Sequence, residues 1–442
     1  MYPMELEFAI VYTIILSSKG AERPLSPLCF MNTDRALNYL IFMNKSNFKK
    51  ENLLAPSFSS GEEKDHYLSS AFSSRIPFPI MNGGMGIDFS NEDLAGAVMN
   101  AGGIGVLAVS LVGYNEIYKE KFEKMKMEER RQLRDKADEE TLIKKIKIVR
   151  QNSPHGILGT NLMRAVDNYD LLVKVIGESE AVDILLVGAG LPMDLPNTML
   201  KYPHMRYVPI VSSARAAQII LRRAKLRKGR KPDAWYLELP QFAGGHLGAS
   251  NAEEANDQTK FKPTDIYDGL RELDPDIPII LAGGIMYKKD IEAALEQGFN
   301  GVSSGTRMLL TQESGMSDEI LKEYYLNPDY QIITKMTSPA SLPSRYIDNG
   351  FLEEAAKVAE ETRKRCVSCI VTKNCAFFNK KTPYCIAHWL TKARRGDKDG
   401  LLFSGSRLAE MRNDSIYSKN GETYIPTVRE AIDFLLNDNS SQ

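Results

Sequence analysis

Cysteine and histidine are both scarce in this chain, at five each among 442 residues. Five cysteines at that length exclude a disulfide-dense secreted scaffold, and a reducing, cytoplasmic setting is expected. An excess of charge of either sign is also missing: 56 Lys and Arg stand against 57 Asp and Glu, a net charge of −1. Without a basic surplus, neither nucleic acid nor an anionic membrane is expected as a partner. The early apolar stretch Phe8 to Leu16 falls short of the roughly 20 residues that a bilayer span needs. Met1 to Glu7 carries two acids and no base, so the basic start of a secretory signal is absent as well.

What is present suits a large folded core. Hydrophobic residues make up 43% and charged residues 26%, a globular balance. The length accommodates one barrel of about 250 residues with appendages, or two ordinary domains. Residues 1–75 read as an N-terminal extension. Two readings stand for its first 42 or so residues, which show no amphipathic period and hold Cys29. They are a start-site artefact upstream of a natural start at Met43, or a genuine N-terminal arm.

From Pro77 onward short apolar runs alternate with longer helical ones, which predicts βαβ units and a parallel sheet. Strands are expected at Pro77–Met81, Ile104–Val109, Gly156–Met163, Asp183–Val187, Arg206–Val211, Ala234–Leu237, Ile277–Leu281 and Gly301–Ser304. Eight such alternations predict an α/β fold, a closed (β/α)8 barrel over 76–333. Tyr114 to Asp138 is heavily charged and reads as a solvated helical insertion. The tail, 334–442, reads as a mostly helical cap with one helix over Leu352–Arg365 and most of the cysteines.

Glycine strings follow several of these strands: Gly83-Gly84, Gly244-Gly245, Gly283-Gly284 and Gly305. In a barrel such loops all open on the C-terminal face. Glycine there lets backbone N–H groups approach a ligand closely. The strings after strands seven and eight, with the Thr306 hydroxyl, favour a phosphate over simple tight turns. His246 directly follows Ala243-Gly244-Gly245, and an imidazole on that face is a natural acid/base. His66, His155, His204 and His388 carry no such context.

Cys366, Cys369, Cys375 and Cys385 are spaced Cys-x2-Cys-x5-Cys-x9-Cys. Four thiolates at such spacing suit zinc or an iron–sulfur cluster, with Lys373, Lys380 and Lys381 expected to lower the thiol pKa values. The alternative is a set of reduced thiols in a helical cap, with Cys385 beside Tyr384 and Trp389.

Six strings in order resemble the nitronate monooxygenase (2-nitropropane dioxygenase) family, which includes FMN-dependent enoyl-acyl-carrier-protein reductases. They are Pro79–Gly86, Leu94 through Gly102-Gly103 to Val106, Gly159–Met163, Ala243–Gly248, Ile279–Ile285 and Gly301–Arg307. The resemblance implies FMN, with the backbone at Asn82, Gly83 and Gly84 against the flavin ring and Asn161 near it. It implies Gly244, Gly245, Gly283, Gly284, Gly305 and Thr306 around the phosphate, and His246 as the catalytic histidine. Family members often carry Glu or Gln a few residues before Ala-Gly-Gly-His. Glu238 lies further away here, which puts its flavin contact in doubt.

The resemblance leads first to oxidation of a nitronate or nitroalkane. A second reading is an NAD(P)H-dependent enoyl-thioester reductase, with acyl carrier protein as a partner. A flavin redox sensor built around the cysteines comes last, because it leaves His246 without a task. Beyond a small-molecule substrate, a homodimer is left open. An inosine-monophosphate-dehydrogenase type of barrel is excluded, since no cysteine lies between residues 30 and 365 to act as its nucleophile.

Overall fold

Runs such as Ile104–Ala108 and Ile184–Gly188 are buried at every residue. That pattern belongs to strands covered on both faces, the setting of a parallel sheet. The computed structural model describes residues 53–73 and 76–437; Cys29 and the Met43 start lie outside them. Eight parallel strands close into a barrel: β1 (Met81–Asn82), β2 (Ile104–Ala108), β3 (Ile157–Met163), β4 (Ile184–Gly188), β5 (Arg206–Val211), β6 (Trp235–Glu238), β8 (Ile279–Ala282) and β9 (Gly301–Ser304). The last strand pairs with the first, Met81 opposite Ser303.

Side chains alternate across each strand. Tyr236 of β6 and Ala234 just before that strand pack with Met81, Val106, Leu186, Val208 and Ile280 inside the barrel. Trp235 and Leu237 join a separate layer with Ile279 and Leu281, facing the helices outside. The intervening β7 (Gly245–His246) leaves the barrel. It pairs antiparallel with β11 (Ser344–Ile347), which also pairs with β10 (Ile332–Lys335).

Helix ends follow their capping residues. Asn91 caps the helix Glu92–Asn100, accepting from the Leu94 N–H at 2.9 Å. The tail spreads over the barrel's C-terminal loops: Trp389, Leu390 and Tyr384 share a core with Ile87, Phe89 and Leu111. The described residues all belong to one compact unit. Among the described residues no helix is long and apolar enough to cross a membrane.

Two expectations are corrected. The charged stretch ending at Asp138 is helical and most of its charges face water, as expected, but its second half opens one 26-residue helix, α1 (Met127–Asn152), and two of its charges are not solvated. Arg134 and Asp138 are fully buried in it. The tail and the loop at 167–168 cover that face and supply partners. Arg134 pairs with Asp135 and Asp167, and Asp138 accepts from the Gly113 N–H and Asn168 Nδ2 at 2.8 and 2.9 Å. The expected helix Leu352–Arg365 is two helices, Phe351–Lys357 and Ala359–Lys364, broken at Val358 where ψ swings to 12°.

Candidate active site

The residues one step above the barrel's interior layer are Ala108, Asn161, Gly188, Ile210, Glu238 and Ala282. All of them line a cavity of about 240 Å³ at the C-terminal mouth. Three are glycine or alanine, so the floor is low and open; only Asn161 and Glu238 offer hydrogen-bonding side chains there. Gly83 and Gly84 form the adjoining wall. A Cβ on Gly84 would fall 2.2 Å from Asn161 Cβ, so only glycine lets the loop lie over that side chain. Asn82 sits one layer out. Its amide bonds both the N–H and the C=O of Val106, at 2.8 and 2.9 Å, and so fastens β1 to β2 beneath the glycine loop.

Gly244, Gly245, Gly283, Gly284, Gly305 and Thr306 gather on another side of the same cavity. Gly283 and Gly284 hold φ of +91° and +83°, a region that side chains strain. The tail completes this side. The Gly405 N–H donates to Thr306 Oγ1 at 3.1 Å. Arg407 Nη1 donates to the Gly284 carbonyl at 2.6 Å and pairs with Asp290 at 3.0 Å. A Cβ on Gly244 would lie 2.5 Å from the Ser404 carbonyl carbon, so barrel loop and tail touch backbone to backbone.

His246 enters from β7, opposite Ser344. Its Nε2 lies 2.7 Å from Ser338 Oγ, which itself accepts the Ala340 N–H at 3.1 Å. Which of the two groups donates follows the imidazole tautomer. Phe403 meets the imidazole edge to face at 5.8 Å. Burial lowers the His246 pKa to about 4, so the ring is neutral at pH 7 and able to accept a proton. Burial has the opposite effect on Glu238, raising its carboxyl to about 7. The Glu238 carboxyl has no hydrogen bond or ion pair among the described residues. One stretch of the remaining wall is apolar, formed by Leu111, Met163, Val166, Ile370, Ile386 and Leu390.

The structure therefore brings together every expected barrel residue except Asn82, which does not line the cavity. Sequence reasoning missed Ser338, Ser404, Gly405 and Arg407 and undervalued Glu238. The Ser404-Gly405-Ser406 string was the one available signal. The cysteines are a correction. All four are free thiols, and among the described residues no three His, Cys, Asp or Glu side chains are grouped to hold a metal. The lysines do not activate them either: Lys373, Lys380 and Lys381 are exposed to water, where their charge is screened. Burial instead pushes Cys366 up to about 12 and raises Cys375. Cys369 is raised well above the usual thiol range by its hydrogen bond with Cys385 and by burial.

Comparison with known proteins places these features in context. The family described as nitronate monooxygenase matches residues 70–418. A (3aS,4S,5R,7aS)-5-hydroxy-7a-methyl-1-oxo-octahydro-1H-indene-4-carboxyl-CoA dehydrogenase from Rhodococcus jostii is 26% identical over 278 residues, 63% of this chain and 64% of that one. Its namesake from Mycobacterium tuberculosis is 25% identical over 280 residues, 63% and 65% of the two chains. The chain thus matches slightly under two thirds of these relatives' length. Among solved structures, FabK from Thermotoga maritima has a TM-score of 0.56 at 21% identity, covering 84% of this chain and 94% of its own. Nitroalkane oxidase from Streptomyces ansochromogenes has a TM-score of 0.55 at 18% identity, covering 82% and 96%. At these identities the likeness shows the fold.

Proposed function

Because this chain belongs to the nitronate monooxygenase family, we propose that it is an FMN-dependent oxidoreductase that oxidises nitronates or nitroalkanes, with His246 as its acid/base. The residues present fit FMN. The low floor of Ala108, Gly188 and Ala282 leaves room for a flat ring, bordered by Gly83, Gly84 and Asn161. The glycine side, with Thr306, offers backbone N–H groups and a hydroxyl for a phosphate, while Arg407 is paired with Asp290 and Glu410. Bound there, FMN would supply a reversible electron acceptor.

This chain's own part is to bind, orient and move one proton. The observation that carries the reading is a neutral imidazole, held by Ser338, in the same cavity as the glycine strings. A neutral His246 can take the proton alpha to a nitro group, in a cavity whose lining also includes the apolar side chains of Leu111 and Ile386.

The apolar wall also favours a second reading, an NAD(P)H-dependent reductase of enoyl thioesters carried by coenzyme A or an acyl carrier protein. The curated relatives are named for a CoA thioester. One experiment tests the proposal: the flavin released on denaturation is identified, then turnover of an alkyl nitronate is compared with NAD(P)H oxidation on a crotonyl thioester. Released FMN with nitronate turnover is the expected result. FAD, or turnover of the thioester alone, overturns the first reading.

A further inference from the structure

Three arginines are essentially fully buried among the described residues: Arg134, Arg307 and Arg345. Burying a guanidinium is costly unless an anion accompanies it. Arg134 has Asp135 and Asp167, and Arg307 has Asp414 at 2.6 Å. Arg345 has no carboxylate partner among the described residues. Its Nε donates to Thr334 Oγ1 at 3.0 Å and its Nη2 to Asn256 Oδ1 at 2.8 Å and the Ala255 carbonyl at 3.4 Å. Its Nη1 donates to the Pro240 carbonyl at 2.9 Å and to the Ala243 carbonyl. Every acceptor is uncharged. Burial lowers its pKa only to about 10, so the charge persists at pH 7.

The Ala243 contact shows where the missing charge belongs. The only cis peptide bond among the described residues is Gly86-Ile87, so the Ala243–Gly244 bond is trans. Across a trans peptide the N–H points away from the C=O. With the Ala243 carbonyl held on Arg345, the Gly244 N–H is aimed away from the guanidinium. Gly244 lines the cavity, and its N–H makes no hydrogen bond among the described residues. A cation on the carbonyl also polarises the peptide and makes that N–H a stronger donor.

We propose that Arg345 is a positioning residue for an anion in the cavity: clamped on Ala243, it turns the Gly244 N–H toward the ligand and supplies the buried charge that the cofactor's phosphate neutralises. This rests on the FMN reading given above. Arg345 reaches the ligand only through the peptide. Because it also stands opposite Gly245 in the β11–β7 pairing, the test must separate charge from support.

The test compares FMN with riboflavin, which lacks the phosphate, binding to deflavinated wild type, R345K and R345M by flavin-fluorescence quenching. R345M should lose about ten- to a hundredfold of the preference for FMN, the worth of a hydrogen bond to a charged group, with riboflavin affinity nearly unchanged. R345K should keep most of the preference. If R345M fails to fold, R345Q, which retains donors without charge, takes its place. Equal weakening of both flavins overturns the proposal and leaves Arg345 a loop support. Equal wild-type affinity for both flavins overturns it while the flavin reading survives. If neither flavin binds, inorganic phosphate is the probe. A rise in wild-type Tm that R345M lacks then upholds the anion role and sinks the flavin reading; no rise in either sinks both.

Discussion

At His246 the imidazole and the cofactor-binding backbone are separable, because neighbouring glycines, not the ring, face the expected phosphate side. His246→Ala should therefore retain flavin, measured by absorbance per chain. The kcat/KM for a neutral nitroalkane should fall about 10²–10⁴-fold, the usual worth of an acid/base group. The preformed nitronate, already deprotonated, should lose far less. Glu238 carries a second expectation. Its native carboxyl, raised from 4.5 to about 7 by burial, holds its proton more tightly than the unfolded chain does. Its contribution to stability is thus full below pH 4.5 and lost as pH rises through about 7. Glu238→Gln removes that dependence, so the Tm of the variant minus that of wild type should climb by a few degrees between pH 5 and pH 8. A flat difference across that range would mean that Glu238 is well solvated. His246 was legible because a rare residue followed Ala-Gly-Gly. Ser338 was not, because the contact joins residues 92 positions apart. Glu238 was visible, but its place on the floor depends on strand phase, and a one-residue slip would have turned it to the outside.

At the scale of elements, the strands were the most legible part, since most are short, largely buried runs and several end at glycine, as at Gly83, Gly283 and Gly305. Helix α1 was the least. Its mean composition is polar, and nothing local distinguishes Arg134 or Asp138, which are buried, from the exposed Lys136 between them. Burial of that stripe is decided by the Val367 and Ser368 carbonyls, which accept from Arg134. Arg134→Met should therefore cost about 3–5 kcal/mol, the effect of removing one partner from a buried ion pair. It leaves Asp167 with Arg131 alone. Urea unfolding measures this; a loss below about 1 kcal/mol would show that water reaches the site.

At the scale of the molecule, barrel and tail share one hydrophobic core and one cavity. The sequence separated them because the strand–helix rhythm stops near residue 334, and rhythm carries no information about what a helical tail will cover. The shared cavity predicts that a substitution on either part empties it. Gly284→Val, in the barrel, puts a branched side chain at φ +83° with its Cβ 3.1 Å from the Phe242 ring. Gly405→Val, in the tail, puts a Cβ 2.9 Å from the Phe242 carbonyl and 3.1 Å from Thr306 Oγ1. Both should purify with little flavin while keeping the far-ultraviolet dichroism of the wild type. Full flavin content in Gly405→Val would confine the site to the barrel.

The contact of Gly405 with Thr306 also bears on how the protein is made. The sheet's final strand ends at Ser304, yet the cavity is unfinished until the chain reaches Arg407. At about 5–20 residues per second, the ribosome needs several seconds or more to cross that interval. A nascent chain in that time can hold a closed barrel but lacks the tail's share of the site. Flavin capture should thus be a late event in biosynthesis, following release of the tail from the exit tunnel. Chains arrested after the last barrel strand has left the tunnel but before residue 405 emerges should then be structured but colourless.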